Sequence, residues 1–219
     1  MTAILGYISA DSKSMFLASD GLVIWHTDQG DNPQNNYKKI CKFQNFLISF
    51  NGEVEFFQTF LCFLKKINKD ISSISELQNA INDVFPFDKF GNNYNGHSKA
   101  KYSNVIILDI ENRVLAHHFA GCVSGLNYYS PFDFQVLEKN NLYHFGSKVS
   151  FMNDASLGNT EDAFSTENHD FLKQTITEQI KAWEDILHTA NQMYRGVGQL
   201  NSYYIDFQNK IKHNELDTS

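Results

Sequence analysis

Residues 2–20 read TAILGYISADSKSMFLASD, and they contain two apolar runs separated by a short polar segment. Each of the runs Ala3–Ile8 and Ser14–Ser19 has the length and composition of a β-strand. The segment between them is rich in serine and aspartate, which favour turns because their side chains bond to nearby backbone groups. The sequence therefore predicts a strand pair that starts directly after Thr2 and ends at Asp20.

The strand pattern continues after this pair. Gly21–His26 predicts a third strand, whereas the polar stretch Thr27–Asn36, with one glycine and one proline, is expected to be a loop. Two further apolar runs, Lys39–Phe43 and Phe46–Phe50, predict a hairpin that turns at Gln44-Asn45.

After Gly52 the apolar period changes from that of a strand to that of a helix. The first helix is predicted over residues 53–69, and we expect Cys62 to lie in the core. The apolar stripe of this helix consists of Val54, Phe57, Leu61, Leu64 and Ile67. Four phenylalanines in this helix cover more than one face, which indicates burial on two sides or a subunit interface: Phe56, Phe57, Phe60 and Phe63. A second helix follows the capping pattern Ser73-x-x-Glu76, with this apolar stripe: Leu77, Ile81 and Val84.

The rest of the chain predicts more strands and one long helix. In chain order these are strands at Ser103–Asp109, Arg113–Phe119 and Leu142–Phe145, a helix across Asn168–Tyr194, and a strand at Leu200–Phe207. We expect Ala120–Asn141 to be irregular with weak strands. Runs of strands alternating with helices, without a βαβ rhythm, are typical of antiparallel sheets covered by helices. We expect one domain over residues 1–219, with a frayed tail at 210–219.

Composition narrows the class of protein. The 42% hydrophobic and 20% charged residues are typical of a globular chain, and the net charge of −7 argues against binding to nucleic acid or an anionic membrane. Three cysteines are an odd number for a disulfide framework. The chain shows neither a secretory leader nor an apolar run of about 18 residues. We therefore expect a cytoplasmic protein.

Thr2 is the first candidate for chemistry. Aminopeptidases remove Met1 when the next residue is small, and Thr2 then becomes the first residue. An N-terminal threonine carries a hydroxyl nucleophile and an α-amine on one residue. The amine has a reference pKa of about 7.7–8.0, so it can act as a general base at neutral pH.

The order of these features resembles the proteasome β-subunit and its bacterial relatives, the N-terminal-nucleophile hydrolases. The family pattern is a leading threonine, a strand ending in Ala-x-Asp, a Lys-Lys-apolar strand, and an apolar strand entering Ala-Gly-Gly and the first helix. Here the corresponding residues are Thr2, Ala18–Asp20, Lys38–Ile40 and Asn51–Glu53. Phe145–Ser147 is similar to the Gly-Ser element that precedes the third helix of the family.

The resemblance implies a four-layer αββα sandwich, with two antiparallel sheets inside and helices outside. It also implies a role for each matched residue. Thr2 Oγ would attack a carbonyl carbon, Lys39 would lower the pKa of that hydroxyl or amine, and Asp20 would keep Lys39 charged and oriented. The backbone N–H of Gly52 would face the developing oxyanion, and Ser147 would form a hydrogen bond near the α-amine.

Two further pairs of positions bear on the site. Phe50 and Val54 flank Gly52 and are expected to line an apolar substrate pocket. The family usually carries an aspartate near the end of the last long helix and a serine before the following Gly-Gly. The corresponding residues here are Met193 and Gly196, which cannot form those hydrogen bonds.

The function implied by the resemblance is an N-terminal threonine peptidase that cleaves peptides or unfolded proteins inside a homo-oligomeric, ring-like assembly. An ATP-dependent unfoldase as partner stays an open question. Two alternatives also stay open: an inactive proteasome-like scaffold subunit, and an amidohydrolase acting on small amides. We expect no metal and no cofactor, because the adjacent His117 and His118 point to opposite faces of a strand and no cofactor-binding motif is present.

Overall fold

A computed structural model describes residues 4–34, 36–52, 54–87, 102–121, 131–141, 143–145, 200–206 and 211–214. The described strands are β1 Ile4–Ile8, β2 Ser14–Asp20, β3 Val23–Thr27, β4 Gly30–Gln34, β5 Ile40–Phe43, β6 Phe46–Asn51, β7 Tyr102–Asp109, β8 Val114–Gly121, β9 Gln135–Val136, β10 Tyr143–Phe145, β11 Leu200–Asp206 and β12 Ile211–Asn214. The described helices are α1 Val54–Leu64 and α2 Ile74–Asn82. The chain forms two compact units, one of Met1–Ile40 with Glu138–Ser219 and one of Cys41–Leu137.

The sheet of the first unit has the strand order β10-β1-β2-β11-β12, with every neighbouring pair antiparallel. β1 is buried along its whole length, because apolar residues occupy both of its faces. The turn to β2 is closed by a hydrogen bond from Ser9 N–H to the Ser14 carbonyl at 3.0 Å. This confirms the strand pair predicted from residues 2–20.

The prediction of a loop over Thr27–Asn36 is wrong for most of that segment. β4 pairs antiparallel with β3, and the hairpin turns at Asp28-Gln29, followed by Gly30 with a φ of +110°. Pro33 is tolerated because, among the described strands, β4 pairs with β3 alone, and an edge strand accommodates a residue without an N–H. All five residues of β4 are exposed, and their sequence Gly-Asp-Asn-Pro-Gln has no apolar alternation that would predict a strand.

The end of the chain also differs from its prediction. β11 confirms the last predicted strand, but β12 lies within residues 210–219, where a frayed tail was expected. β12 pairs with β11, from Tyr203 opposite Asn214 to Asp206 opposite Ile211. Backbone hydrogen bonds can hold a polar segment in a sheet, and composition carries no sign of them.

The second unit contains a sheet with the order β5-β6-β7-β8-β9. The predicted hairpins are confirmed: Gln44 and Arg113 adopt positive φ values of 49° and 56° in the turns after β5 and before β8. In the second turn the Asp109 carboxylate accepts hydrogen bonds from the N–H groups of Glu111 and Asn112. Such bonding is typical of aspartate at the start of a turn.

Helix α1 ends earlier than the sequence predicts, at Leu64 rather than residue 69. The N–H groups of Lys66 and Ile67 bond to carbonyls three residues back, which tightens the chain and ends the α-helix. The buried face consists of Phe56, Phe57, Phe60 and Leu64. Cys62 is exposed, so its prediction as a core residue is wrong. Apolar residues on several faces had left the helix orientation ambiguous.

Helix α2 confirms its predicted start. Ser73 is the N-cap, and its hydroxyl accepts a hydrogen bond from Glu76 N–H at 3.2 Å. The Glu76 carboxylate accepts in return from the N–H and hydroxyl of Ser72. Val84 was predicted in the apolar stripe, but it lies beyond the helix and is 40% exposed.

Phenylalanines dominate the core of the second unit. Phe60 of α1 and Phe85, which follows α2, lie with Phe132 at ring-centroid distances of 5.1–6.4 Å. The ring of His118 packs against Phe132 and Phe134 from the sheet. The described architecture is thus mixed α+β, with mostly antiparallel sheets. In the described parts of the chain, no helix is long and apolar enough to cross a membrane. The helix predicted across 168–194 lies outside the described residues.

Candidate active site

The first unit contains a fully buried ion pair at the end of β2. Lys39 Nζ lies 3.1 Å from Asp20 Oδ1, and the two side chains are 2% and 1% exposed. Buried charges are rare unless they are paired, because removing an ion from water costs several kcal/mol. The structure therefore joins two of the residues that the sequence predicted for the site.

The Asp20 carboxylate is held on both of its oxygens. Oδ1 accepts from Lys39, and Oδ2 accepts from the N–H of Leu22 at 3.0 Å. A further hydrogen bond, from Tyr37 N–H to the Gly21 carbonyl at 2.8 Å, connects the segment after Asp20 to the segment before Lys39. These contacts fix the position of the carboxylate, and through it the ammonium.

The charge state of Lys39 depends on two opposing effects. Burial lowers the pKa of the Lys39 ammonium below its usual value, whereas the negative charge of Asp20 and the hydrogen bond to it oppose that shift. A positive charge in such a place is weakly screened, so it acts strongly on neighbouring groups. It would lower the pKa of a nearby hydroxyl or amine.

The register of β1 and β2 shows which strand ends lie together. Ile4 lies opposite Ser19, so the start of β1 and the end of β2 are at the same end of the sheet. Asp20, with Lys39, stands at that end. Thr2 itself lies outside the described residues, two positions before Ile4.

Gly52 stands at the end of β6 in the second unit. It is exposed and adopts a φ of +114°, a conformation that glycine reaches without the steric cost of a Cβ. The residue before it, Asn51, accepts two hydrogen bonds from Asn104 on its side-chain oxygen. In the sequence Asn51 stands only as the counterpart of the family's alanine, and no local pattern indicates Asn104.

Of the two residues expected to line a substrate pocket, Phe50 has a different place. It is 2% exposed and stacks on Phe57 at 3.8 Å between ring centroids, so it packs in the core of its unit. Side chains of a strand alternate between faces, and Phe50 falls on the face covered by α1. Val54, the first residue of α1, is half-buried.

The other predicted site residues cannot be placed. Thr2, Ser147, Met193 and Gly196 lie outside the described residues. Within the described ranges, no group of three or more histidine, cysteine or acidic side chains is arranged to hold a metal ion.

Comparison with solved structures finds a similar fold in Anbu and BPH proteins. Anbu (ancestral beta-subunit) from Yersinia bercovieri matches with a TM-score of 0.59 and 9% identity, over 100% of this chain and 88% of that one. The Gly-1 mutant of Anbu from Hyphomicrobium sp. strain MC1 gives 0.61 and 9%, over 98% and 85%. Thiobacillus denitrificans BPH, in complex with epoxomicin, gives 0.52 and 13%, over 94% and 99%.

These similarities concern the fold alone, since 9–13% identity is too low to carry an activity from one chain to another. No family model matches the sequence, and no curated protein sequence matches it. The chain therefore has a proteasome-like fold, as its sequence pattern implied.

Proposed function

We propose that this protein is a proteasome-type N-terminal threonine peptidase, which cleaves peptide bonds through Thr2 once Met1 has been removed. The observation that carries the proposal is the buried Lys39–Asp20 ion pair at 3.1 Å, at the sheet end where β1 begins. The similarity of the fold to BPH and Anbu supports the proposal, because Thr2, Asp20 and Lys39 resemble the sequence pattern of the proteasome β-subunit family.

The reaction would proceed by acyl transfer. Thr2 Oγ attacks the carbonyl carbon of the substrate, and its proton passes to the Thr2 α-amine. The peptide C–N bond then breaks, and the leaving amine takes that proton. Water attacks the resulting ester, gives a proton to the same α-amine, and releases the acid while Thr2 Oγ recovers a proton.

Lys39 supplies a fixed positive charge that favours the deprotonated forms of the nucleophile and the base. Asp20 keeps that charge in place despite burial, as its opposing effect on the Lys39 pKa indicates. The Gly52 N–H would donate to the oxyanion of the tetrahedral intermediate, and Ser147 would bond near the α-amine. Val54 stays a candidate for the pocket wall.

The proposal also covers the oligomeric state and the cellular location of the protein. We expect a cytoplasmic, homo-oligomeric, ring-like complex that takes peptides or unfolded proteins. Enclosure of the nucleophile in such a ring would keep folded proteins from it. Whether an ATP-dependent unfoldase delivers the substrates is a separate question.

One specific observation favours a second function. Met193 and Gly196 replace the aspartate and serine that usually support the α-amine in the family. Loss of that support is typical of a subunit that retains the fold and assembly without activity. The alternative is therefore an inactive, proteasome-like scaffold subunit.

The first experiment is the intact mass of protein purified from a host that processes initiator methionine. A mass lower by one methionine means that Thr2 has a free amine. Retention of Met1 in all molecules contradicts the mechanism in that material, because an amide nitrogen is not basic.

The second experiment compares wild type with Thr2→Ser and Thr2→Ala on a panel of fluorogenic peptides and acylated small amines. We expect peptide turnover that Thr2→Ser retains in part and Thr2→Ala loses, together with covalent labelling of Thr2 by epoxomicin. Undiminished turnover by Thr2→Ala would exclude the mechanism. Inert wild-type protein with Met1 removed would favour the scaffold alternative, and turnover of small amines alone would favour an amidohydrolase.

A further inference from the structure

Asp20 and Lys39 are joined along the chain by a long connection within the first unit. Residues 21–38 separate the two charges, and the β3–β4 hairpin takes up most of that length. In the part of the chain that the structure describes, β3 and β4 pair only with each other. A hairpin of two strands is at best marginally stable in water by itself, so this one depends on contacts beyond its own backbone hydrogen bonds.

A pair of aromatic rings connects the hairpin to the segment that follows it. Trp25 of β3 lies edge-to-face with Tyr37, with 6.2 Å between the ring centroids and 69° between the ring planes. The charge distribution of aromatic rings favours this arrangement. Trp25 Nε1 also donates to Gln34 Oε1 across the hairpin at 3.2 Å, which fixes the orientation of the indole. Tyr37 therefore packs against a ring that the hairpin already holds.

Tyr37 stands two residues before Lys39, in a segment that belongs to no strand. Its N–H donates to the carbonyl of Gly21 at 2.8 Å, and Gly21 is the residue after Asp20. The backbone of Tyr37 is thus tied to the end of β2, while its ring is tied to β3. These two attachments place the start of the short segment from which the Lys39 side chain reaches the carboxylate.

We infer that Trp25 and Tyr37 are positioning residues, whose ring contact holds the segment before Lys39 so that the ammonium meets the Asp20 carboxylate. The inference rests on the proposed function in one respect, because the ion pair is the charge that the proposed reaction uses. The rings act through the backbone that leads to Lys39. When the connection is already closed, formation of the ion pair costs less chain entropy, so loss of the ring contact should weaken the pair itself.

The test measures how strongly Asp20 and Lys39 depend on each other. Urea unfolding of wild type, Asp20→Asn, Lys39→Met and the double variant gives their coupling free energy. The same four proteins are then made with Tyr37→Ala. We expect Tyr37→Ala to lower the coupling by about twofold or more, because contacts that share one chain segment are not additive. An unchanged coupling would mean that Tyr37 contributes only general stability, and it would overturn the inference.

Two further variants separate the ring contact from other effects of Tyr37. Tyr37→Phe keeps the ring and should retain the wild-type coupling. Trp25→Ala removes the other ring and should lower the coupling about as much as Tyr37→Ala, so it decides the question if Tyr37→Ala does not fold. Wild-type coupling in Trp25→Ala, or a loss in Tyr37→Phe as large as in Tyr37→Ala, contradicts the inference.

Tyr143→Ala is the matched control. Tyr143 is half-buried in the same unit, as Tyr37 is, and it stacks on Phe145 at 6.5 Å between ring centroids. It pairs with Gly6 of β1 and lies outside the connection between the two charges. We expect Tyr143→Ala to lower the free energy of unfolding and to leave the coupling unchanged. An equal loss of coupling in this variant would mean that any destabilisation of the unit weakens the ion pair, and the inference would fail.

A kinetic readout relates the ring contact to the proposed reaction. In that reaction the Lys39 charge lowers the pKa of the Thr2 α-amine, and this base sets the acid limb of kcat/KM against pH. Tyr37→Ala should move the limb to higher pH, in the direction of Lys39→Met, whereas Tyr143→Ala should leave it in place. A lower kcat/KM with an unmoved limb would mean a structural role for Tyr37.

Failure of the inference and failure of the proposed function give different results. If epoxomicin does not label wild type at Thr2, the proposed function is wrong, and the coupling measured by unfolding still decides whether the rings position the ion pair. If wild type is labelled and Tyr37→Ala leaves the coupling unchanged, only the positioning inference fails.

Discussion

The main feature of the Lys39–Asp20 ion pair is its burial. Both side chains are almost completely removed from water, so each depends on the other to offset its desolvation. The sequence indicated both residues through the family pattern. It could not show that they are buried, since a lysine that begins a strand often faces solvent. The burial follows from tertiary packing around the end of β2.

Removal of one partner should therefore cost more than removal of both. We expect Asp20→Asn to lower the free energy of unfolding by about 3–5 kcal/mol, because it removes the negative charge that offsets the desolvation of the buried Lys39 ammonium. The double variant Asp20→Asn with Lys39→Met should be less destabilised than Asp20→Asn alone. Urea unfolding of wild type, Asp20→Asn, Lys39→Met and the double variant measures this, and simple additivity of the two single changes would contradict it.

At the scale of secondary-structure elements, the local sequence predicted the hairpins correctly, but it did not predict which face of α1 is buried. The turns at Gln44 and Arg113 connect strands that are adjacent in sequence, so turn chemistry and alternation suffice there. In α1, apolar residues on several faces fit more than one buried stripe. The sheet selects Phe56, Phe57, Phe60 and Leu64, and this turns Cys62 to the solvent.

Thiol alkylation tests this orientation of α1. We expect iodoacetamide at pH 8 to modify Cys62 much faster than Cys41, because Cys62 is exposed and burial raises the pKa of the Cys41 thiol to about 12. With that pKa, thiolate at Cys41 is on the order of one in ten thousand at pH 8. Mass spectrometry of digested protein, with Cys122 replaced by serine, gives the two rates.

Cys62→Ser is the control for this experiment, since it should remove nearly all rapid labelling. Equal rates at the two cysteines, or faster labelling of Cys41, would contradict the orientation of α1 described above.

At the scale of the whole molecule, the fold is similar to Anbu and BPH over 94–100% of the chain, although only 9–13% of residues are identical. A fold can persist at such low identity because it requires an apolar pattern and suitable volumes more than particular side chains. Activity requires particular side chains, so it must be tested on this chain itself.

Mild acid should weaken the folded state because two of its histidines are partly buried. Burial lowers the pKa of His118 below 6.5, and it lowers that of the less buried His117 in the same direction. The unfolded chain therefore binds more protons, and stability is fully present above about pH 6.5 and falls as the pH drops below that value. The slope is at most about 1.4 kcal/mol per pH unit for each proton.

Urea unfolding at pH 7.5, 6.0 and 5.0 measures this loss. Backbone hydrogen bonds from Lys13 and Ser72 hold the pKa values of the Asp11 and Glu76 carboxylates below their usual range. Protonation of these two groups therefore changes stability at a lower pH than protonation of the histidines does. His118→Phe should flatten the pH dependence, since a phenylalanine there would extend the contacts with Phe132 and Phe134 without titrating. His117→Gln should retain most of the pH dependence of stability. If the stability of His118→Phe falls with pH as steeply as that of wild type, His118 is not the source of the pH dependence.

The sequence by itself determined the adjacent hairpins, the α2 cap and, through the family pattern, the pairing of Lys39 with Asp20. The hairpins and the cap depend on residues that are close in sequence, and the ion pair was indicated by a sequence motif. Only the tertiary structure decided that β4 and β12 are strands, which face of α1 is buried, and that Asn51 bonds to Asn104. Those features depend on backbone hydrogen bonds and packing between distant segments, and neither leaves a periodic trace in the sequence.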